Sequence, residues 1–460
     1  MTTANPEDAE PARIRPPLGS GVAGAWRWLW SALRSLLAAI ASMWGSLRES
    51  INRPLASYYL LLGASGLLLT IGLIMVLSAS SVRSYLVYDD SYAVVKRQLM
   101  WVAIGLPCAW VASRLPIRQI RRLAYPGFLF ALVLLALVAR FGVYVNGNKN
   151  WLAVGPFTMQ PAEVAKLAVV LWAANIYAHK ERRLRELHHL LVPVVPGLFA
   201  VIALVLVGRD LGTAMVLAAI LLGMLWVVGA PMRLFGLSLS VLAVAAVGLA
   251  ATDPERLQRI THFTDPFKDY TDTGWQPAHG LYALSSGGWF GQGIGASTQK
   301  WGDLPEAHTD YIFAVLGEEL GLVGTLLVVG LFLTIAYAAV RVALSTEDPF
   351  VRYATFGIVV WLLGQMIINV GMVLAVLPVI GIPLPIVSYG GSALLPSLVA
   401  LGLVIGFARR EPGAAAALAA RRRTRSAGLS APASAPAAPP AATPAAASTS
   451  PASPTHTPSR

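Results

Sequence analysis

Leu60-Leu61-Leu62-Gly63-Ala64-Ser65-Gly66-Leu67-Leu68-Leu69-Thr70-Ile71-Gly72-Leu73-Ile74-Met75-Val76-Leu77 contains no charged side chain. Wound as a helix, a run of about 18–20 such residues matches the hydrocarbon thickness of a bilayer. A second apolar run covers residues 192–207. Of the 460 residues, 56% are hydrophobic and only 13% charged, against about 25% charged in a soluble domain. Mean hydropathy is +0.63. The chain therefore reads as an all-α polytopic membrane protein.

Working outward, the pattern predicts ten transmembrane helices, at 57–79, 96–113, 123–140, 161–178, 190–208, 211–229, 232–251, 310–341, 352–377 and 386–408. Basic clusters lie at 114–122, at 180–185 and at Arg409-Arg410. If both termini are cytoplasmic, all three fall on one side, as the positive-inside rule requires. Residues 253–309, between spans 7 and 8, then form a large extracytoplasmic loop. With Trp275, Trp289, Trp301, many glycines and charges of both signs, it reads as a folded lid or site rather than a linker. The net charge of +12 sits in loops and tails, so it is an orientation signal and not a nucleic-acid footprint. Cys108 is the one cysteine, which excludes an internal disulfide framework and a multi-cysteine metal site. No cleavable signal peptide is evident in the first forty residues.

Residues 1–20 read as a disordered tail. Over 21–50, Trp26, Leu29, Trp30, Leu33, Leu36, Leu37, Ile40, Met43 and Trp44 follow 3–4 spacing, with Arg27, Ser31, Arg34 and Ser35 opposite. This predicts an interfacial amphipathic helix; a partner-binding helix and a disordered segment are the alternatives. Residues 411–460 are mostly Ala, Pro, Ser, Thr and Arg and read as a disordered cytoplasmic tail.

The chemistry concentrates in Leu304-Pro305-Glu306-Ala307-His308-Thr309-Asp310-Tyr311-Ile312-Phe313. Pro305 suits a first helical turn, which would set Glu306 and Asp310 on one face of span 8. Partial burial and a like charge raise the pKa of one carboxylate, as a general base or acid needs. The plainer reading of Asp310 is a carboxylate that favours the helix dipole. Glu318 and Glu319 lie deeper in the same span, either lining a polar cavity or anchoring a neighbouring helix. Arg209-Asp210 is either a local ion pair or a phosphate contact. Glu163 and Lys166 read as an intrahelical pair, and Gln365 and Asn369 as interhelical glue. Trp151 is either an interfacial anchor or a stacking surface for a sugar ring. The proline- and glycine-rich stretch 377–392 cannot be regular helix; at membrane depth it has to be buried or line a watery cavity.

Taken in order, several motifs resemble the SEDS family of peptidoglycan polymerases. They are Gln160-Pro161-Ala162-Glu163-Val164-Ala165-Lys166, Asp210-Leu211-Gly212-Thr213-Ala214, Gln276, the glycines of 287–295, Lys300, residues 304–313, Gly317-Glu318-Glu319-Leu320-Gly321 and residues 385–392. The resemblance covers about 55–410. The loops at 146–151 and 346–353 are most similar to those of the actinobacterial cell-division branch. The resemblance implies a ten-helix SEDS domain and a glycosyltransferase acting on lipid II during septal wall synthesis. Asp310 matches the family's essential aspartate, the expected general base, and Trp151 its aromatic residue after span 3. Expected substrate contacts are Trp151, Glu306, Lys300, Arg209, Gln276, Ser388 and Glu319. Lys300, Arg209 or a divalent metal (Mg or Mn) would stabilise the leaving diphosphate. A class B penicillin-binding transpeptidase and other division proteins are the implied partners. In two places the chain departs from the family: Asn150 stands where an arginine is frequent, and Ile380 where threonine is. A lipid II flippase and a non-catalytic division scaffold are the alternative functions.

Overall fold

The computed structural model describes residues 53–418 and 420 apart from 146–147, 156, 252–262, 264, 269 and 271–273, together with residues 30, 31, 34, 35, 38 and 42. The expected tail at 1–20 lies outside the described residues. So do most of the expected amphipathic helix and the tail beyond 420. Residues after Ala415 separate as a second unit, of which 416–418 and 420 are described, as helix.

The helices are α1 (Ala56–Tyr88), α2 (Ala93–Arg114), α3 (Ile117–Phe141), α4 (Pro161–Lys180), α5 (Leu187–Leu191), α6 (Val194–Val207), α7 (Leu211–Val227), α8 (Met232–Ala251), α9 (Trp275–Gly287), α10 (Ile312–Ser345), α11 (Pro349–Val373) and α12 (Gly391–Ala408). Each expected span falls on one of them, except 190–208, which takes in α5 and α6 with Val192 and Pro193 between them. Among the described residues, six segments are able by length and composition to cross a membrane: α1, α3, Leu187–Val207, α10, α11 and α12. Among the rest, α7 and the first half of α8 are shorter apolar helices. Local chemistry sets the starts. Asp210 caps α7 by accepting from the Thr213 amide at 2.8 Å, and Asp348 caps α11 by accepting from the Phe350 amide at 2.9 Å. Proline occupies the first turn of α4 and α11, where its missing N–H costs nothing.

Three expectations need correcting. Residues 143–159 are not simple loop but a three-stranded antiparallel sheet in the order β1 (Val143–Val145), β2 (Asn148–Val154), β3 (Phe157–Met159). Its short strands alternate with turn residues, too weak a pattern to stand out beside long apolar runs. Helix α1 runs on to Tyr88 instead of ending at 79, closed by Asp89 in the left-handed region (φ 54°). Helix α10 begins at Ile312, so Pro305, Glu306 and Asp310 precede it in a series of turns and share no helical face. Glu306 itself is left-handed (φ 54°), which breaks the helix.

Small residues let the helices approach. A Cβ on Gly402 of α12 would stand 2.3 Å from the Ala109 carbonyl oxygen of α2, and one on Gly406 would stand 2.5 Å from that of Ser113. This four-residue spacing of glycines is the usual device for close helix contact in membranes.

Helix α10 is broken at Gly321 (φ 69°, ψ −166°). The loop after α9 enters the break. The amides of Gln292 and Gly293 donate to the carbonyls of Glu318 and Glu319 at 2.9 and 3.0 Å, and those of Leu322 and Val323 donate to the carbonyls of Gly288 and Trp289 at 2.9 and 3.1 Å. The groups that the helix loses are thus paired by the loop, as a low-dielectric surround demands. A Cβ on Gly321 would lie 2.4 Å from the Gly291 nitrogen, so backbone conformation and space both require glycine there.

Gly321→Ala is expected to destabilise the protein by about 2–4 kcal/mol, since strained backbone and overpacking each cost about 1–3 kcal/mol. Gly330→Ala, on the same helix with open space around it, is expected to leave thermal unfolding of the detergent-purified protein unchanged or slightly raised. Equal unfolding temperatures for the two variants would contradict the stitched break.

Candidate active site

The turns at 303–311 are held chiefly by their carbonyls. Trp275 Nε1 donates to Asp303 O at 2.7 Å and Gln276 Nε2 to Pro305 O at 3.2 Å, both from α9. From the stretch between α11 and α12, the Tyr389 amide donates to His308 O at 3.0 Å, and Ser388 Oγ to Thr309 O at 2.6 Å. From α11, Asn369 Nδ2 donates to Asp310 O at 2.8 Å and to Ile382 O at 2.7 Å. The neighbouring Gln365 donates to Pro383 O at 2.9 Å. Gln365 and Asn369 are therefore glue, but between a helix and the two irregular segments. Gln276 and Ser388, expected to contact substrate, are placed as clamps on this turn.

The Asp310 carboxylate is treated differently. Among the described residues, no donor reaches it. It keeps partial access to solvent while protein atoms crowd it closely; a Cβ on Gly381 would stand 3.4 Å from its Oδ2. That burial, with the negative charges of Glu306 and Asp210, raises its pKa to about 7. An ionised carboxylate without hydrogen-bond donors is a ready proton acceptor.

The two carboxylates around it are occupied. Asp210 accepts from Thr213 Oγ1 at 2.9 Å, Asn150 Nδ2 at 2.9 Å and Gln160 Nε2 at 2.7 Å, besides its capping bond. Strand β2 supplies the Asn150 donor through a bulge: Val143 pairs with Trp151 and Tyr144 with Lys149, leaving Asn150 as the extra residue. Bulges re-aim a side chain, and here the departure from the frequent arginine yields a strut to Asp210. Glu306 accepts from Thr309 Oγ1 at 2.7 Å and pairs with Arg83 of α1 at 3.4 Å. Burial alone would raise the Glu306 pKa, but Thr309, Arg83 and His308 outweigh it and the net shift is downward. His308 is pushed down to about 4 by burial, so it is neutral near pH 7, although Glu306 acts to raise it.

Lys300 and Glu319 are placed apart from this carboxylate. Lys300 Nζ donates to Glu319 Oε1 at 3.0 Å, Ser78 Oγ at 3.0 Å and Gly295 O at 2.7 Å, which uses all three ammonium donors. Lys300 and Glu319 are both buried. Glu318 holds the same loop, accepting from Ser297 Oγ at 2.5 Å and from the Thr298 amide at 2.8 Å. The pair of glutamates is an anchor, and a buried Lys300 with filled donors is not available to a leaving diphosphate. Exposed cations near the turns include Arg83 and Arg209, the latter left-handed (φ 61°) beside Asp210. Trp151 is half-buried on β2, next to the residue that struts Asp210. Glu163 and Lys166 are a buried ion pair at 2.8 Å. Arg83 and Thr309 carry no sequence signal of their own; both act on Glu306 through the fold. Among the described residues, no three His, Cys, Asp or Glu side chains gather as a metal cage. With Asp210 filled by its donors, the set does not fit a resident divalent ion.

Residues 59–412 match the family described as cell cycle protein, the group of FtsW, RodA and SpoVE. The chain belongs to this family. It is 40% identical over 374 residues to the probable peptidoglycan glycosyltransferase FtsW of Mycobacterium tuberculosis, over 81% of this chain and 71% of that protein. Its fold is similar to a chain of a solved peptidoglycan synthase complex that coordinates polymerization and crosslinking (TM-score 0.63, 28% identity, 76% of this chain and 97% of that one). It is similar also to the rod shape determining protein RodA of Thermus thermophilus (TM-score 0.57, 28% identity, 77% and 97%).

Carbodiimide modifies protonated carboxyls. Its incorporation at Asp310, read by peptide mass spectrometry, is expected to fall as pH rises through about 7. In Glu306→Gln the loss of one nearby negative charge should move that midpoint downward. A midpoint in the ordinary carboxylate range near pH ~4 would contradict the electrostatic account.

Proposed function

We propose that this chain is a peptidoglycan glycosyltransferase that joins lipid II units into glycan strands at the division septum, with Asp310 as its general base. The observation that carries the reading is a crowded carboxylate without donors, whose pKa is raised to about 7 and whose main chain is pinned from α11. The FtsW name of a relative covering most of the chain supplies the reaction class.

The acceptor's sugar 4-hydroxyl gives its proton to Asp310. Its oxygen attacks the anomeric carbon of the lipid-linked donor, and the bond from that carbon to the diphosphate oxygen breaks. Undecaprenyl diphosphate leaves with the electron pair. Arg209 and Arg83, exposed around the Asp310 turn, are the cations we assign to the leaving group, where preorganised charge lowers the barrier. Trp151, beside the Asn150 strut, offers a ring face to substrate. A class B penicillin-binding transpeptidase is the proposed partner, and a solved relative within a synthase complex that also crosslinks supports it.

Asp310→Asn is expected to lose a factor of about 10²–10⁴ in lipid II polymerisation by the purified chain with its transpeptidase, the usual worth of a general base. Wild-type rate should rise with pH through about 7, because the ionised carboxylate is the working form. An Asn variant within about threefold of wild type sinks the assignment, since that is far below a base's contribution. If polymerisation is absent from the wild type but labelled lipid II crosses vesicle bilayers, the flippase reading replaces it.

The proposed orientation places the 180–185 loop and both termini in the cytoplasm and the 253–309 loop outside. In a Cys108→Ser background, Arg182→Cys should resist a membrane-impermeant maleimide applied to intact cells, and Ser285→Cys should react. The reverse pattern overturns the orientation.

A further inference from the structure

The loop that stitches α10 carries large apolar side chains that the interior does not take. Trp289 is 70% exposed, Phe290 82% and Ile294 62%. The mechanism uses none of them. Their height in the fold is fixed by hydrogen bonds: the Trp289 carbonyl accepts from the Val323 amide, and the Gly293 amide donates to the Glu319 carbonyl. Residues 320–340 of α10 contain no charged side chain, and at about 1.5 Å per residue they span about 30 Å, the thickness of the hydrocarbon layer. Glu318 and Glu319 end that stretch on the side of the large loop. Trp289 and Phe290 therefore lie level with its first turn, where the hydrocarbon begins.

The same level of α10 presents an exposed apolar face. Leu322, Val323, Leu326 and Leu327 are 42%, 51%, 60% and 52% exposed. The loop residues adjoin this face, because Val323 is itself bonded to Trp289; the exposed Gln292 between Phe290 and Ile294 turns its amide to the Ser286 carbonyl at 2.6 Å. Aromatic side chains favour the edge of the hydrocarbon layer. Irregular backbone is tolerated at that depth where its polar groups are paired within the protein; here the amides of Gly291, Gln292 and Gly293 and the carbonyls of Gly288, Trp289 and Gly293 are paired.

We propose that residues 288–294 form a re-entrant aromatic wedge seated in the leaflet on the large-loop side, with Trp289, Phe290 and Ile294 in contact with lipid acyl chains near the headgroups. The occupant of this surface is the bilayer. The wedge fixes the depth of the loop that continues into Ser297, Thr298 and Lys300, and so sets the level at which Glu318, Glu319 and Ser78 hold it.

The test uses the full chain in nanodiscs with Cys108→Ser, and a small environment-sensitive fluorophore on Phe290→Cys. Quenching by phosphatidylcholine carrying a nitroxide near the headgroup should be severalfold stronger than by aqueous iodide, and stronger than by a nitroxide at the chain end. Iodide quenching without lipid quenching overturns the proposal. Protection from iodide that appears only on adding a second copy of the chain or a partner protein overturns it too, because the surface would then belong to a protein. Should Phe290→Cys not yield monodisperse protein, the same fluorophore on Ile294→Cys is expected to show the same lipid quenching, and either of those two contrary patterns there overturns the proposal equally.

Discussion

Main-chain polar groups that leave regular helix inside a membrane protein have no water to fall back on, and each unpaired one costs several kcal/mol. This chain leaves helix twice near the site, at the Gly321 break and between Val373 and Gly391. The two departures are met in different ways. At the break, backbone from the loop after α9 pairs directly with the parted ends of α10. Between α11 and α12, amide side chains supply the donors: Gln365 and Asn369 reach Pro383 and Ile382 from α11, and Gln98 of α2 reaches the Ser388 carbonyl at 3.3 Å. An otherwise apolar bundle keeps these side chains because the irregular segment would be insoluble in it without them.

The electrostatics follow from the same scarcity of water. Asp210 and Asp310 are the same residue type within each other's field, yet only one has donors. Four hydrogen bonds reach the Asp210 carboxylate. Among the described residues Asp310 gets none, and it takes the full effect of crowding and two neighbouring charges. The two carboxylates thus sit in opposed environments, one held by donors and one not. The bulge at Asn150 belongs to this contrast, since it delivers one of the donors to Asp210.

Long apolar runs make the helices legible in sequence, because hydrocarbon thickness leaves little choice of length or period. Asp310 stands out in sequence as a candidate as well: a carboxylate at a span mouth is costly enough to announce itself. Its neighbours are less so. Glu306 reads as a helical partner four residues away, whereas turns bring the two together, and positive φ at Glu306 leaves no sequence trace outside glycine. Lys300 reads as a phosphate ligand because sequence shows a charge but not whether its donors are filled. Gln276 and Ser388 mark the right region, but their partners are carbonyls of distant segments, which only the fold brings together. The short sheet stays hidden because its bulge disrupts the two-residue alternation by which strands are read.

The arrangement meets a conflict that the proposed general base faces. Precise placement normally comes from hydrogen bonds, and bonds to a carboxylate lower its basicity. Here the bonds go to carbonyls instead. Those of Asp303, Pro305, His308, Thr309 and Asp310 each receive a donor from α9, α11 or the 384–390 segment. The turn is fixed residue by residue while the Asp310 oxygens stay free of donors. The clamps thus give position without touching the lone pairs that would take the proton in the proposed reaction. This is why their side chains are amides, an indole and a hydroxyl: each donates to a carbonyl without adding a cation that would stabilise the carboxylate and lower its pKa.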